Sequence, residues 1–284
     1  MSARRRIEPP DARVVADDVA RALAEDVRGG DLTAMLLPGD KRGRAHVVAK
    51  EPCVLAGIAW FDACFAWFER PPVVQWQYGD GDSVPAGAIV CRIEGPARAI
   101  VTGERSALNF LQTLSATATQ TAAYVAAVAG TRTRVLDTRK TLPGLRVAQK
   151  YAVRCGGGHN HRMGLWDAVL IKENHIAAAG SIAQAIASGR ALAPGVLLEI
   201  EVESLDELRE ALAAKPDRIL IDDFTPAQMR EAVAIAAGRV ALEVSGGASL
   251  ETIGDIAKTG VDYVSIGALT KHVRAIDFSL RMDA

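Results

Sequence analysis

The chain has 284 residues, 49% of them hydrophobic and 24% charged, which suits about two domains at roughly 150 residues each. Thirty-three Lys and Arg stand against 34 Asp and Glu, a formal charge of -1. These figures exclude a disordered or collagen-like chain and a nucleic-acid binder held mainly by phosphate contacts, so any anion site must be local.

Cys53, Cys64, Cys91 and Cys155 are widely spaced without a CxxC pair, which suggests reduced thiols rather than a zinc knuckle or a disulfide framework. Basic residues open the chain, but no apolar run follows them as in an export signal. The most apolar stretch, residues 54–68, carries Asp62 and is shorter than the roughly 20 residues that cross a bilayer. The expectation is a cytoplasmic protein with neither a membrane nor a nucleic-acid partner.

In chain order, an amphipathic helix is expected over residues 12–25, an alternating strand over 44–51 and an apolar helix over 60–68. Short strands such as 88–93 follow, between turns at 79–82 and 85–87. This is an α+β, sandwich-like domain over 1–110. A long helix, or two, is expected over 104–129. From there to 284, six β-branched runs alternate with helical ones: 134–138, 168–172, 197–203, 218–222, 240–245 and 262–266. The pattern predicts an α/β fold with a parallel sheet, an incomplete α/β barrel, over 111–284, with the extreme C-terminus returning to the first domain. A doubly wound open sheet is disfavoured because no GxGxxG follows the first strand.

The run Leu198-Glu199-Ile200-Glu201-Val202-Glu203 sets three carboxylates on one strand face, where burial demands cations, a metal or solvent. Other strands end in Asp222-Asp223 and Lys172-Glu173, and such ends carry the chemistry of α/β barrels. Between Arg132 and Lys172 lie nine Lys and Arg against two Asp. Arg146, Lys150 and Arg154, at i, i+4 and i+8, suit a solvated helix face as well as a site, whereas Arg139, Lys140 and Lys172 close strands. Glu201 and Asp222 on successive strands suit Mg²⁺, directly or through water, so the expected ligand is a metal-bound polyanion. Ser245-Gly246-Gly247 and Ile266-Gly267-Ala268, each between a strand and a helix, suit a phosphate. His161 and Arg162 follow Gly156, Gly157 and Gly158, a flexible anion-binding loop by expectation, whereas His46, His159, His175 and His272 have structural roles.

Six motifs, in order, carry a resemblance: Glu104-Arg105-Ser106-Ala107-Leu108-Asn109; Asp137-Thr138-Arg139-Lys140-Thr141; the triple glycine with His161-Arg162; Ile171-Lys172-Glu173-Asn174-His175; the Glu199 to Glu203 run; and Ser245-Gly246-Gly247. Together they resemble the quinolinate phosphoribosyltransferase (carboxylating nicotinate-nucleotide pyrophosphorylase) family over essentially the whole chain. The resemblance implies phosphoribosyl transfer from phosphoribosyl pyrophosphate to quinolinate, with Mg²⁺, yielding nicotinate mononucleotide, pyrophosphate and CO₂. It implies that Arg105, Arg139, His161, Arg162 and Lys172 surround the quinolinate carboxylates, that Lys140 helps hold the pyrophosphate and that Thr138 is a further substrate-binding residue. Glu201 and Asp222 would serve metal and ribose, and Ser245, Gly246, Gly247, Ile266, Gly267 and Ala268 the 5'-phosphate. Lys140, Lys172, Glu201 and Asp222 are the expected catalytic groups. A homodimer, or a larger homo-oligomer, in which Arg105 enters the partner's site is also implied. The rival readings are a Schiff-base aldolase using Lys172, a nicotinate-specific transferase and a non-enzymatic anion-binding relative.

Overall fold

The fold is described from a computed structural model covering residues 7–283; the basic N-terminal run at residues 1–6 lies outside the described residues. Helix α1 (Ala12–Asp26) begins where the Asp11 carboxylate accepts the Arg13 N–H at 2.8 Å, and it turns Val15, Val19 and Leu23 inward. There follow β1 (Arg42–Ala49), β2 (Cys53–Val54), α2 (Ile58–Ala66), β3 (Val73–Trp76), β4 (Ser83–Val84) and β5 (Ile89–Pro96). Helix α3 (Ala97–Ala127) is one element of 31 residues. It starts seven residues before the expected 104, directly after Pro96. Gly103 masks this in the sequence, yet a methyl group there would lie 2.9 Å from the Phe65 ring, so its absence permits close packing.

Next come β6 (Arg134–Leu136), α4 (Arg146–Cys155), β7 (Val169–Ile171), α5 (Glu173–Ala179), α6 (Ile182–Leu192), β8 (Leu198–Val202) and α7 (Leu205–Ala214). The chain closes with β9 (Arg218–Asp222), α8 (Pro226–Ala236), β10 (Ala241–Ser245), α9 (Ile253–Ala257), β11 (Tyr263–Ser265), α10 (Ala268–Lys271) and β12 (Phe278–Met282). Two compact units result. One comprises the described residues up to Ala122, Thr141–Gly157 and the segment from Leu269 on; the other comprises Ala123–Lys140 and Gly158–Ala268.

The first unit carries an antiparallel sheet in the order β12-β1-β5-β3, covered by Trp60, Phe61 and Phe65 of α2 and Ile100, Leu108 and Leu111 of α3. Buried Asp18 is satisfied there by the Trp60 indole N–H at 2.9 Å and by Arg21. Lys150 of α4 is fully buried, so the solvated-face reading of Arg146, Lys150 and Arg154 fails at its middle residue. The four cysteines are free and buried.

The second unit is a parallel six-stranded sheet in the order β6-β11-β10-β9-β8-β7, built from the six runs legible in the sequence. The strands β6 and β7 remain edges, so the α/β fold is open rather than a closed barrel among the described residues. One face buries Ile200, Val202, Ile219, Ile221, Leu242 and Val244 beneath the helices. Helix starts are stated in the sequence: Ser204 caps α7, and Thr225 with Gln228 forms a capping box on α8, with Pro226 in the first turn. Among the described residues no helix is long and apolar enough to cross a membrane.

Candidate active site

Strand alternation sets Glu199 and Glu201 of β8, Arg218, Leu220 and Asp222 of β9, and Ala241, Glu243 and Ser245 of β10 on the other face. The registers align them in rows. Glu199 lies opposite Arg218; Glu201, Leu220, Glu243 and Tyr263 follow one another across four strands; Asp222 lies opposite Ser245. Polar groups thus run up to the C-terminal end of the sheet, the end at which open parallel sheets bind ligands.

At that end, Lys172 bonds the Glu201 carboxylate; the lysine is partly exposed, while Glu201 is almost covered. Burial first, then the charges of Glu201 and Asp223, pushes the Asp222 carboxyl above its ordinary range, and the Lys172 charge opposes this. Glu201, Asp222 and Asp223 therefore form a crowded anionic group beside the Lys172 ammonium. Of the three carboxylates expected from the β8 alternation, Glu199 and Glu201 are buried and Glu203 is exposed.

Two loops are shaped by close approach. Gly246 and Gly247 have φ of 84° and 62°, and a methyl group on Gly246 would lie 3.0 Å from Asp222 Oδ1. A methyl group on Gly267 would lie 2.9 Å from Lys140 Cδ and 3.5 Å from Thr138 Oγ1, which in turn accepts the Lys140 N–H at 3.0 Å. Thr138, Lys140 and Gly267 therefore meet, as do Asp222 and Gly246. The helices after these loops, α9 and α10, have five and four residues.

The third cluster lies on the segment after α4. Its first glycine is not a source of flexibility: a methyl group on Gly156 would lie 2.3 Å from the Ala118 carbonyl oxygen. His159 bridges to Leu136, and the fully buried Asp137 accepts the His161 N–H at 2.9 Å and the Asn160 side-chain amide at 2.6 Å. Burial, followed by the charge of Arg139, lowers the pKa of Arg162, so two guanidinium groups crowd one location. The Arg162 guanidinium also donates to the Ala168 carbonyl at 3.3 Å.

The His161 ring is turned inward. Its Nε2 lies 2.9 Å from Glu199 Oε2 and 3.5 Å from Glu243 Oε1, and both carboxylates are 0% exposed. Arg218 bonds the other Glu243 oxygen at 2.8 Å and covers the Tyr263 ring at 4.3 Å from its centroid. Burial, then the Glu199 charge, pushes the Glu243 carboxyl up to about 7. His161, Glu199 and Glu243 offer ligand atoms within 4.8 Å of one another. The three groups stand at ion-pair distance and Arg218 already balances Glu243, so the trio is read as an internal ionic network. The sequence reading missed Glu243 and Arg218, although period-two alternation in 240–245 places Glu243 on the face of Ser245.

Arg105 belongs to the other unit. Its side chain is 60% exposed and borders a cleft of about 670 Å³ with Asp31, Leu32, Thr33, Leu36 and Thr102. His175 acts structurally: its Nδ1 accepts the Lys172 N–H at 3.0 Å in the capping box of α5.

Comparison with known proteins gives a consistent result. The models of the quinolinate phosphoribosyl transferase N-terminal and C-terminal domains match residues 31–115 and 117–281. The nicotinate-nucleotide pyrophosphorylase [carboxylating] of Mycobacterium leprae is 43% identical over 93% of this chain and 95% of its own length. The probable enzyme of that name from Bacillus subtilis is 40% identical over 90% of this chain and 89% of its own. The solved nicotinate-nucleotide pyrophosphorylase of Francisella tularensis superposes with a TM-score of 0.95 at 45% identity, covering 99% of this chain and 100% of that one. With both domain models matched in order and relatives this similar along nearly their whole length, the chain belongs to the quinolinate phosphoribosyl transferase family.

Proposed function

We infer that this chain transfers the phosphoribosyl group of phosphoribosyl pyrophosphate to quinolinate with loss of CO₂, giving nicotinate mononucleotide and pyrophosphate in NAD biosynthesis. The observation that carries the reading is the family match over both domains, within which every site residue expected from the sequence falls. Arg139, His161, Arg162 and Lys172, joined by Arg105, receive the quinolinate carboxylates. The crowding of Arg139 against Arg162 supports this, since planar forks pair with carboxylates and a bound dianion relieves their repulsion. Lys140 and Thr138 serve the pyrophosphate, and the Ser245 to Gly247 and Ile266 to Ala268 loops take the 5'-phosphate.

The carboxylates of Glu201 and Asp222 would hold Mg²⁺, whose charge would relieve their mutual repulsion. When bound, the ion neutralises the leaving pyrophosphate. Breaking the bond from the anomeric carbon to pyrophosphate leaves positive charge on the ribose, which Glu201 and Asp222 stabilise electrostatically. The pyridine nitrogen of quinolinate then donates its lone pair to that carbon. The resulting pyridinium accepts the electron pair released when the 2-carboxylate leaves as CO₂, and a proton from solvent completes the ring carbon. Lys172 is bonded to a carboxylate rather than set in apolar or cationic surroundings that free an amine for Schiff-base chemistry, which disfavours the aldolase reading.

The chain acts as a homodimer in this reading, with Arg105 entering the partner's site; its exposure beside the apolar Leu32 and Leu36 supports the role. Mixing Arg105→Ala and Lys172→Ala subunits under verified exchange then restores about a quarter of wild-type activity, because half the dimers are mixed and each has one intact site. Activity fixed at the homodimer baseline would contradict the shared site. Four free thiols support the cytoplasm as the compartment. Calorimetric titration tests the substrate assignment: quinolinate binds the wild type, and Arg139→Ala weakens it about a hundredfold. Absence of quinolinate binding to the wild type, alone or with phosphoribosyl pyrophosphate present, would overturn the assignment.

A further inference from the structure

Two carboxylates and a guanidinium lie beneath the site on its polar sheet face. Glu199 and Glu243 have no exposed surface, so neither can touch a substrate. They are nonetheless tied to a residue that lines the site. His161 Nδ1 accepts the Arg162 backbone N–H at 2.7 Å, which leaves the ring proton on Nε2, and Nε2 faces Glu199 at 2.9 Å and Glu243 at 3.5 Å. Glu243 is fixed from behind by Arg218 at 2.8 Å, and Arg218 by the Tyr263 ring. Three adjacent strands, β8, β9 and β10, thus converge on one imidazole, with Tyr263 of β11 as a backstop.

We propose that Glu199 and Glu243, backed by Arg218, are positioning residues that hold His161 as its Nε2–H tautomer and so fix the turn presenting Arg162 to the quinolinate carboxylates. The proposal rests on the quinolinate reading of the site. Apolar residues could fill the same volume without desolvating two acids, so stability alone does not account for this network. Its yield is orientation. If the ring turns, the Arg162 N–H loses its acceptor, and the residue is held only by the bond of its guanidinium to the Ala168 carbonyl. Glu243 accepts from Arg218 on Oε2 and turns Oε1 toward the His161 Nε2 at 3.5 Å; an amide of the same shape would present a donor to one of these two cationic or N–H groups.

The test combines kinetics with imidazole ¹⁵N NMR on the full-length dimer. Glu243→Gln and Glu199→Gln are each expected to raise the quinolinate KM about tenfold while the phosphoribosyl pyrophosphate KM moves less than about twofold. A merely structural role would move both constants, or neither, in step with the melting temperature. Arg162→Ala separates this proposal from the reading beneath it. If the wild type does not bind quinolinate, the substrate assignment has failed; if it binds and Arg162→Ala keeps the wild-type affinity, or Arg162→Ala abolishes binding and the glutamine variants keep the wild-type KM, the positioning role has failed. Should the glutamine variants not fold, the wild type still decides. At pH 7.5, with the resonance assigned through His161→Gln, His161 should show a protonated Nε2 and an unprotonated Nδ1, insensitive to a chelator. A protonated Nδ1, or a resonance that moves when zinc is chelated away, overturns the proposal.

Discussion

Lys172, at the end of β7, is bonded to Glu201 on β8, and this ion pair stands at the C-terminal edge of the sheet where Asp222 and Ser245 also lie opposite one another. The lysine is 43% exposed, so solvent screening limits what the pair adds to stability to about 1 kcal/mol or less.

Glu201→Gln keeps the shape and removes the charge. Single-turnover rates should fall about a hundredfold, while the melting temperature shifts by no more than about 3 °C. A wild-type rate would remove Glu201 from the mechanism, and a collapse of the melting temperature would make it a structural residue.

At Gly246 the backbone is left-handed, with φ of 84°, and Asp222 Oδ1 occupies the space a side chain would need. Gly246→Ala therefore carries about 1–2 kcal/mol of backbone strain and displaces Asp222. The phosphoribosyl pyrophosphate KM should rise about tenfold with quinolinate affinity retained. A selective loss of quinolinate affinity would exchange the roles assigned to the two substrates.

How the fold was legible depends on periodicity. The six parallel strands are legible because each is a β-branched run bounded by helical sequence, and Glu199 and Glu201 because they alternate with aliphatics. The start of α3 is hidden in the sequence because Gly103 looks like a breaker until the Phe65 ring supplies its reason. The helices expected after the two glycine loops are present but short, since glycine after a strand predicts a turn and not the length of the helix beyond it. Arg218 and Glu243 lie 25 positions apart in sequence and become partners only through the parallel register of β9 and β10. The direction of the His161 ring is likewise a tertiary fact.

Partly buried Asp80 gives a pH signature in the first unit. Burial pushes its carboxyl up from 3.8 to about 6, against the Tyr151 hydroxyl that donates to it at 2.6 Å. The folded state therefore holds a proton that the unfolded state has released, so this group's contribution to stability is full below about pH 3.8 and declines as pH rises through about 6. Asp80→Asn keeps an acceptor for Tyr151 and removes the titration. Its melting temperature relative to wild type should rise between pH 4 and pH 7, as measured by calorimetry across that range; a constant difference would show that Asp80 does not titrate with folding.

The central claim is settled by product balance. With quinolinate labelled with ¹⁴C in its 2-carboxylate, phosphoribosyl pyrophosphate and Mg²⁺, the protein should release nicotinate mononucleotide, pyrophosphate and labelled CO₂ in equal amounts. Nicotinate in place of quinolinate should give no mononucleotide, because the missing carboxylate leaves part of the cationic shell unpaired. Equal turnover of both acids, or pyrophosphate released without labelled CO₂, would contradict the account.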